Sequence, residues 1–397
     1  AVTAVTGALA LTSRQRADAC TGAGSHLAGV WDDDVRAAVE GAFAATSRPY
    51  AADTFARVAA ALDERAAAWV AMRHDACLAT RVRGEQSEHL MDLRMQCLDG
   101  RLGEMRALTT LFATRADDRV VDRATSAALD LPSLARCADA DALAAAYPPP
   151  EDPVAEAEVD GLRARVDALM ALERGGKYAE GMAQAPAVTA DAARIGWPPV
   201  HAQALFWFAR LQTQSGDAAA SEATFERTME VAAEARDDAL LVRAGTQRVY
   251  VLGYELGRPD QALQLAALLG ILVTRAGDDP AARASLLYRV GIVLRRKGAY
   301  AAAQDHFELA LPLWIAARGP NNADVANTHN ELGNVLLDQG RYDDAGAHYQ
   351  QALEISEVAR ASLRDTIIRS VASNRVLVLI DNCEHVAAAV GELVRSL

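Results

Sequence analysis

The sequence predicts an all-α chain: a solenoid of helical hairpins, preceded by an N-terminal helical module and followed by a short strand–helix tail. Three observations carry this. Hydrophobic residues make up 51% of the 397 positions but aromatics only 5%, so alanine, the best helix former, supplies much of the apolar count. Glycine recurs at Gly176, Gly216, Gly257, Gly298 and Gly340, in steps of 40, 41, 41 and 42 residues. The run Tyr147-Pro148-Pro149-Pro150-Glu151-Asp152-Pro153 interrupts any helix, because proline lacks an amide donor and bars the helical region to the residue before it.

In chain order, Ala1 to Leu11 is a small apolar run followed by Arg14 and Arg16. It is too short to span a bilayer. The end of a membrane helix, a trimmed signal region and a frayed terminus all stay open for residues 1–13. Residues 14–147 carry three amphipathic helical patterns. The first follows Asp53 as N-cap through Phe55, Val58, Leu62, Trp69 and Met72. The second runs from Glu85 through Leu90 to Leu108, and the third from Asp118 to before Pro132. Trp31 and Phe43 cap the core of this module. Residues 148–155 form the linker.

Residues 156–360 hold five repeats. Gly291, Gly298, Tyr300, Phe307 and Ala310 return 42 positions later as Gly333, Gly340, Tyr342, Tyr349 and Ala352. The second glycine of each set suits a tight turn that needs φ > 0. Gly291, Gly333, Ala303 and Ala345 let paired helices approach. Tyr300 and Phe307, or Tyr342 and Tyr349, are expected between neighbours. One hairpin cannot bury its apolar face alone, so stacked copies share a core. Residues 361–397 change character: Arg375 to His385 is a continuous apolar run ending in acid, which reads as a buried parallel strand, with a helix from Val386 to Leu397.

Several function classes drop out. The formal net charge is −13 with no basic stripe, so nucleic acid is not an expected partner. The eight histidines form no HExxH and the five cysteines no CxxC, so no metal and no cofactor is expected. A phosphate cradle would need Gly-x4-Gly-Lys-Ser/Thr; Lys177 has Ala171 in place of the first glycine and no Ser or Thr hydroxyl after it. No Gly-rich loop, His-Arg-Asp or Asp-Phe-Gly motif of a kinase is present, and no catalytic residue is assigned. Cys20, Cys77, Cys97 and Cys137 lie in one module. They admit two disulfides in three connectivities, or four buried thiols acting as small apolar residues. Cys383 stands apart.

The Leu-Gly…Gly-x-Tyr…Ala pattern resembles the tetratricopeptide repeat family. The 42-residue step and the segment Gly319 to Ala326 resemble its kinesin-light-chain variety, with the first two repeats degenerate. Residues 14–357, through Leu27-Ala28-Gly29-Val30-Trp31-Asp32, Ala76-Cys77-Leu78-Ala79-Thr80-Arg81, Leu93-Arg94-Met95-Gln96-Cys97-Leu98 and the Pro cluster, resemble the region after the membrane helix of myxobacterial-type serine/threonine protein kinases with tetratricopeptide tails. That resemblance implies an upstream kinase domain and a membrane helix ending near Ala10. It implies an extracytoplasmic position on a bacterial membrane (otherwise a cytoplasmic one), and it favours two disulfides with Cys383 free. The tail resembles the Walker-B strand of signal-transduction ATPases, with Asp381 in the magnesium place. The alternative function is therefore the helical arm of a nucleotide-dependent transcriptional regulator.

A solenoid of this kind implies a protein-binding scaffold in signalling. The first helix of each hairpin lines the concave face. With Gly333 as the crossing residue, the groove set is Asn327, Asn330, Asn334 and Asp338 in the fifth repeat. The same offsets give Ser285, Tyr288, Ile292, Arg295 and Arg296 in the fourth, Gln247, Val251 and Tyr254 in the third, and Gln203, Phe206 and Arg210 in the second. Amides that donate and accept suit a peptide backbone. Arg295 and Arg296 favour a carboxylate on the partner, which is expected to be a protein or peptide carrying acidic groups.

Overall fold

The computed structural model describes residues 20–150 and 152–359. The Ala1–Leu11 run and the tail with Asp381 and Cys383 lie outside the described residues. Among the described residues every regular element is helical.

The N-terminal module comprises a 3-10 turn Ala23–Leu27, α1 Asp33–Ala44, α2 Ala51–Arg81, α3 Glu88–Arg115, α4 Asp118–Leu129 and the short α5 Ala140–Ala144. Side-chain caps set most starts: Asp32, Ser87, Asp117 and Asp139 accept from the amides of Val35, Leu90, Val120 and Ala142. Two expected starts move. Asp53 lies inside the first turn of α2, and the cap position falls to Tyr50, which makes no side-chain cap bond. Tyr50 Oη instead reaches Asp122 of α4 at 2.6 Å, and Arg48 pairs with the same carboxylate, so the chain entering α2 is tied down early. The second helix begins at Glu88 rather than Glu85, because Gly84 sits at φ 64° and Ser87 caps.

Trp69, Phe43, Phe112, Leu62, Leu98, Met105 and Leu108 are fully buried in this module. Phe43 and Phe112 meet edge to face at 5.5 Å, and Trp69 Nε1 donates to the Leu98 carbonyl at 2.7 Å, so no polar atom of that indole is left unpaired. Disulfides join Cys20 to Cys77 and Cys97 to Cys137, across separations of 57 and 40 residues. The first ties the start of the described chain to α2, and the second ties α3 to the turn Ala135–Ala138. Loops of that length give about 4 kcal/mol each in the chain-entropy picture.

Five hairpins follow. Their first helices are α6 Pro153–Arg174, α8 Pro198–Gln214, α10 Asp238–Tyr250, α12 Pro280–Arg296 and α14 Ala323–Asp338. Their second helices are α7 Tyr178–Ile195, α9 Ala218–Glu234, α11 Pro259–Arg275, α13 Tyr300–Arg318 and α15 Tyr342–Ala359. The five spaced glycines close the five hairpins, at φ 74°, 83°, 64°, 83° and 77°. The crossings are as tight as small residues require: a Cβ on Gly291 would meet Phe307 at 2.6 Å, and one on Gly333 would meet Tyr349 at 2.5 Å. Phe307 is buried, but Tyr300 and Tyr342 are 36% and 70% exposed. They stand at the first residue of their helices and keep that exposure, so their expected place filling the space between repeats is corrected. A π turn, Val251–Glu255, extends α10.

First helices pack on first helices, α6 on α8 and α10 on α12, while second helices pack mainly on first ones. This splays the outer layer and curves the stack with its first helices inside. The curvature brings distant parts together. Arg318 of α13 reaches Asp130 beyond α4 at 3.1 Å, and Arg136 approaches Asp237 at 3.7 Å. At the joint between module and solenoid, α3 packs on α6 with Gly103 against Asp167, whose Oδ2 a Cβ would meet at 2.8 Å. Burial, then Glu104, pushes the Asp167 carboxyl up to about 8.

Two outcomes follow from this packing. Gly291→Val should cost about 1–3 kcal/mol by overpacking against Phe307, read as a lower thermal midpoint with unchanged helicity. Because the Asp167 pKa is raised on folding, its protonated form stabilises the joint at low pH, and stability falls as pH rises from about 4 to about 8. Asp167→Asn should therefore melt above wild type at pH 8.5, with an advantage that shrinks steadily as pH falls and is gone only below about pH 4. An advantage independent of pH would refute the assignment.

Candidate functional site

The inner face of the stack is the candidate protein-binding surface, and its chemistry differs from the one read off the sequence. On α14, Asn327, Asn330, Asn334 and Asp338 share one stripe. Asn327 and Asn330 are half-buried and make no side-chain hydrogen bond among the described residues. Asn334 is already occupied: it accepts from Tyr349 Oη at 2.8 Å. On α8, Gln203 is exposed, but Phe206 is 3% exposed, packed edge to face with Trp207 and Phe225. Phe206 is core, as are Val251 and Ile292. Phe206 packs on Phe225 of its own hairpin's second helix, and Ile292 clusters with Ala303 and Phe307 of its own, so these offsets turn into the hairpin rather than into the groove.

Arg210 is also committed. It lies 2.6 Å from Glu173 of α6 and donates to Gln247 of α10 at 3.1 Å, a chain of contacts across three successive first helices. Arg295 is not a free positive spot either. It is flanked by Glu331 and Asp338, each at 3.3 Å. Arg296 is exposed and stacks over Tyr254 at 4.8 Å. Tyr288 lies beside Phe307, and burial, then Glu331, raises its phenol pKa.

The side chains that sequence reasoning missed are Arg243 and Arg289. Arg243 lies 3.9 Å from the Phe206 ring centre and 5.1 Å from that of Trp207. Arg289 lies 4.7 Å from Tyr250 and 5.7 Å from Tyr288. Among the described residues neither has a carboxylate at ion-pair distance, and nor has Arg296. Each guanidinium covers an aromatic ring of the preceding repeat, forming a ladder from α8 to α12. The π turn contributes here: its wider spiral brings Tyr250 and Tyr254 into a stacked pair at 5.2 Å, and Arg289 and Arg296 cover one ring each. Burial, then the like charges of Arg174 and Arg210, pushes Arg243 down to about 9, still protonated at neutral pH. Burial also lowers Arg289. No fixed offset in the sequence pointed to them: Phe206 and Arg243, Tyr250 and Arg289, and Tyr254 and Arg296 are 37, 39 and 42 residues apart, and only the last pair keeps the step of the repeats.

Chemically, the face can grip oxyanions by planar forks on aromatic platforms and can hold backbone amides through the α14 asparagines. No described group of three or more His, Cys, Asp or Glu has the arrangement to hold a metal ion, and no described helix is long and apolar enough to cross a membrane.

No curated protein matches the chain significantly. Solved structures give distant likenesses. One is BtubC (BKLC) from P. vanneervenii, 14% identical over 73% of this chain and 98% of that one, with a TM-score of 0.41. Another is a putative kinesin light chain from Podosopora anserina with nearly identical TPR-like repeats, 14% identical over 51% of this chain and 98% of that one, with a TM-score of 0.40. A third is aspartyl phosphate phosphatase F from Bacillus subtilis, 12% identical over 82% and 95%, with a TM-score of 0.41. The fourth and fifth hairpins, residues 282–357, match the tetratricopeptide repeat family, and the described solenoid is a helical-repeat fold of that type.

Proposed function

We propose that this chain is the non-catalytic, protein-binding part of a bacterial signalling protein, and that its concave face holds an extended protein segment bearing acidic side chains. The observation that carries the reading is the aromatic–arginine ladder of Arg243, Arg289 and Arg296. An acidic protein gathers three guanidiniums on one inner face, where among the described residues none has a carboxylate partner and Arg243 also faces the like charges of Arg174 and Arg210, an arrangement that a bound anion would relieve. Successive first helices lie about 10 Å apart, which matches carboxylates about three residues apart on an extended segment. Asn327 and Asn330 hold the segment's backbone further along, and Gln203 lies at the other end.

Attachment to a membrane serine/threonine protein kinase, on the extracytoplasmic side, is the context we infer. The specific support is the pair of disulfides in the N-terminal module, since such bonds persist in oxidising compartments.

Display selection of random peptides on the immobilised chain tests the ligand class. Selected peptides should be rich in Asp and Glu at three-residue spacing. A double Arg243→Gln, Arg289→Gln substitution should weaken them about 10- to 100-fold, or about 1.4–2.8 kcal/mol. Selection of neutral or basic peptides, or affinity unmoved by the double substitution, would overturn the reading.

A further inference from the structure

A second site adjoins the inner face and shares Glu173 and Arg210 with it. The cleft between the N-terminal module and the first two hairpins has a volume of about 1350 Å³. Its walls carry six basic and six acidic side chains, but their pairing is uneven. Lys177 takes Asp117 at 2.6 Å, Arg48 takes Asp122, and Arg210 takes Glu173. Two acids are neutralised by cations that do not line the cleft: Asp130 by Arg318 at 3.1 Å, and Glu180 by Arg115 at 2.8 Å. Asp118 is held by the backbone amide and hydroxyl of Ser47. Every acid is thus engaged, while Arg119, Arg123 and Arg174 keep no carboxylate at ion-pair distance among the described residues.

These three are positioned rather than loose. Arg119 and Arg123 stand one turn apart on α4 and straddle Gly176: a Cβ there would meet the Arg119 stem at 2.8 Å and the Arg123 stem at 3.0 Å. Arg119 donates to the Gly176 carbonyl at 3.3 Å, and Arg123 stacks over Tyr178 at 5.4 Å. Arg174, across the cleft at the end of α6, is half-buried and stacks over Trp207 at 5.5 Å; its Nη1 is buried and meets no hydrogen-bond acceptor among the described residues. A guanidinium nitrogen buried without an acceptor is unfavourable, and a small turn of the side chain toward the cleft would give it an oxyanion to bind.

We propose that this cleft is a binding site for a small multivalent oxyanion, a metabolite with two or more phosphate or carboxylate groups, held between Arg119 and Arg123 on one wall and Arg174 on the other. The forked donors of arginine match either oxyanion, and a site at a domain junction couples its occupancy to how the module sits on the solenoid.

Calorimetry and thermal melting of the full chain at low ionic strength decide it, with sodium pyrophosphate and sodium citrate as separate probes and sodium chloride at matched ionic strength as control. At least one probe should bind and raise the melting temperature where chloride does not; which one binds assigns phosphate or carboxylate as the preferred group. Arg119→Gln with Arg123→Gln should weaken binding tenfold or more. The exposed single change Arg119→Glu should do the same if the double variant is poorly folded. The Arg296→Gln variant, changed over Tyr254 and away from the cleft lining, should keep the anion affinity, which separates this site from the ladder. Absence of binding by both probes, or binding unchanged in the Arg119 variants, overturns the proposal.

Discussion

Each hairpin turns on one residue in the left-handed region, and the rest of the molecule depends on that geometry. Five glycines between φ 64° and 83° end five first helices at the same register. Because the turn is fixed, the crossing point falls seven residues earlier, at a position that tolerates no side chain in the last two hairpins, Gly291 and Gly333. Close crossing seats Phe307 and Tyr349 against the glycines. That contact sets which face of each first helix meets its own partner, and hence which face is left for the next repeat and for the inner surface. A side chain at Gly291 or Gly333 would shift all three faces together.

Stacking then creates an electrostatic problem that the chain solves unevenly. First helices brought side by side place arginines from successive repeats within reach of one another, so Arg243 feels both Arg174 and Arg210. Arg210 is neutralised by Glu173, Arg295 by Glu331 and Asp338. Those pairs hold neighbouring repeats in register. Arg174, Arg243 and Arg289 are offered only aromatic faces, which attract a cation without cancelling its charge. The distinction between paired and stacked arginine is what separates scaffold from surface here, and it sorts residues of identical type in one small region.

Much of this architecture was legible in the sequence, and the reason is periodic constraint. Glycine at a φ > 0 turn and a small residue at a crossing leave no alternative residue types, so the 42-residue offset between Gly291 and Gly333 was readable directly. Phe206 was misread as a groove residue because one-repeat offsets carry a position onto the same helical face but do not say whether a neighbouring helix covers it. Arg295 was misread because its partners Glu331 and Asp338 lie 36 and 43 residues away on the next repeat. The anion cleft was illegible for the same reason in stronger form: Arg119 and Arg123 meet Arg174 only through the docking of α4 on the first hairpin, which has no periodic signature.

The N-terminal module is therefore more than a cap on the first repeat. It fixes itself internally with two disulfides, docks α3 and α4 on the first hairpin, and reaches Asp237 and Arg318 of later repeats through Arg136 and Asp130. Exposed ion pairs such as Asp130–Arg318 contribute little stability singly, so they do not hold the curvature. What they do is take up charge: Arg318 removes Asp130 from competition for Arg174, and Arg115 and Lys177 do the same to Glu180. The positive character of the cleft thus depends on the solenoid being curved. A change in superhelical pitch that parted Asp130 from Arg318 would return a carboxylate to the cleft and weaken it for anions. By reciprocity, an anion held at the proposed site between Arg119, Arg123 and Arg174 would favour the arrangement that keeps Asp130 on Arg318, by no more than that weak pair is worth. The same curvature sets the spacing of the aromatic–arginine ladder, so on the proposed reading the two surfaces would share one conformational variable without sharing a ligand.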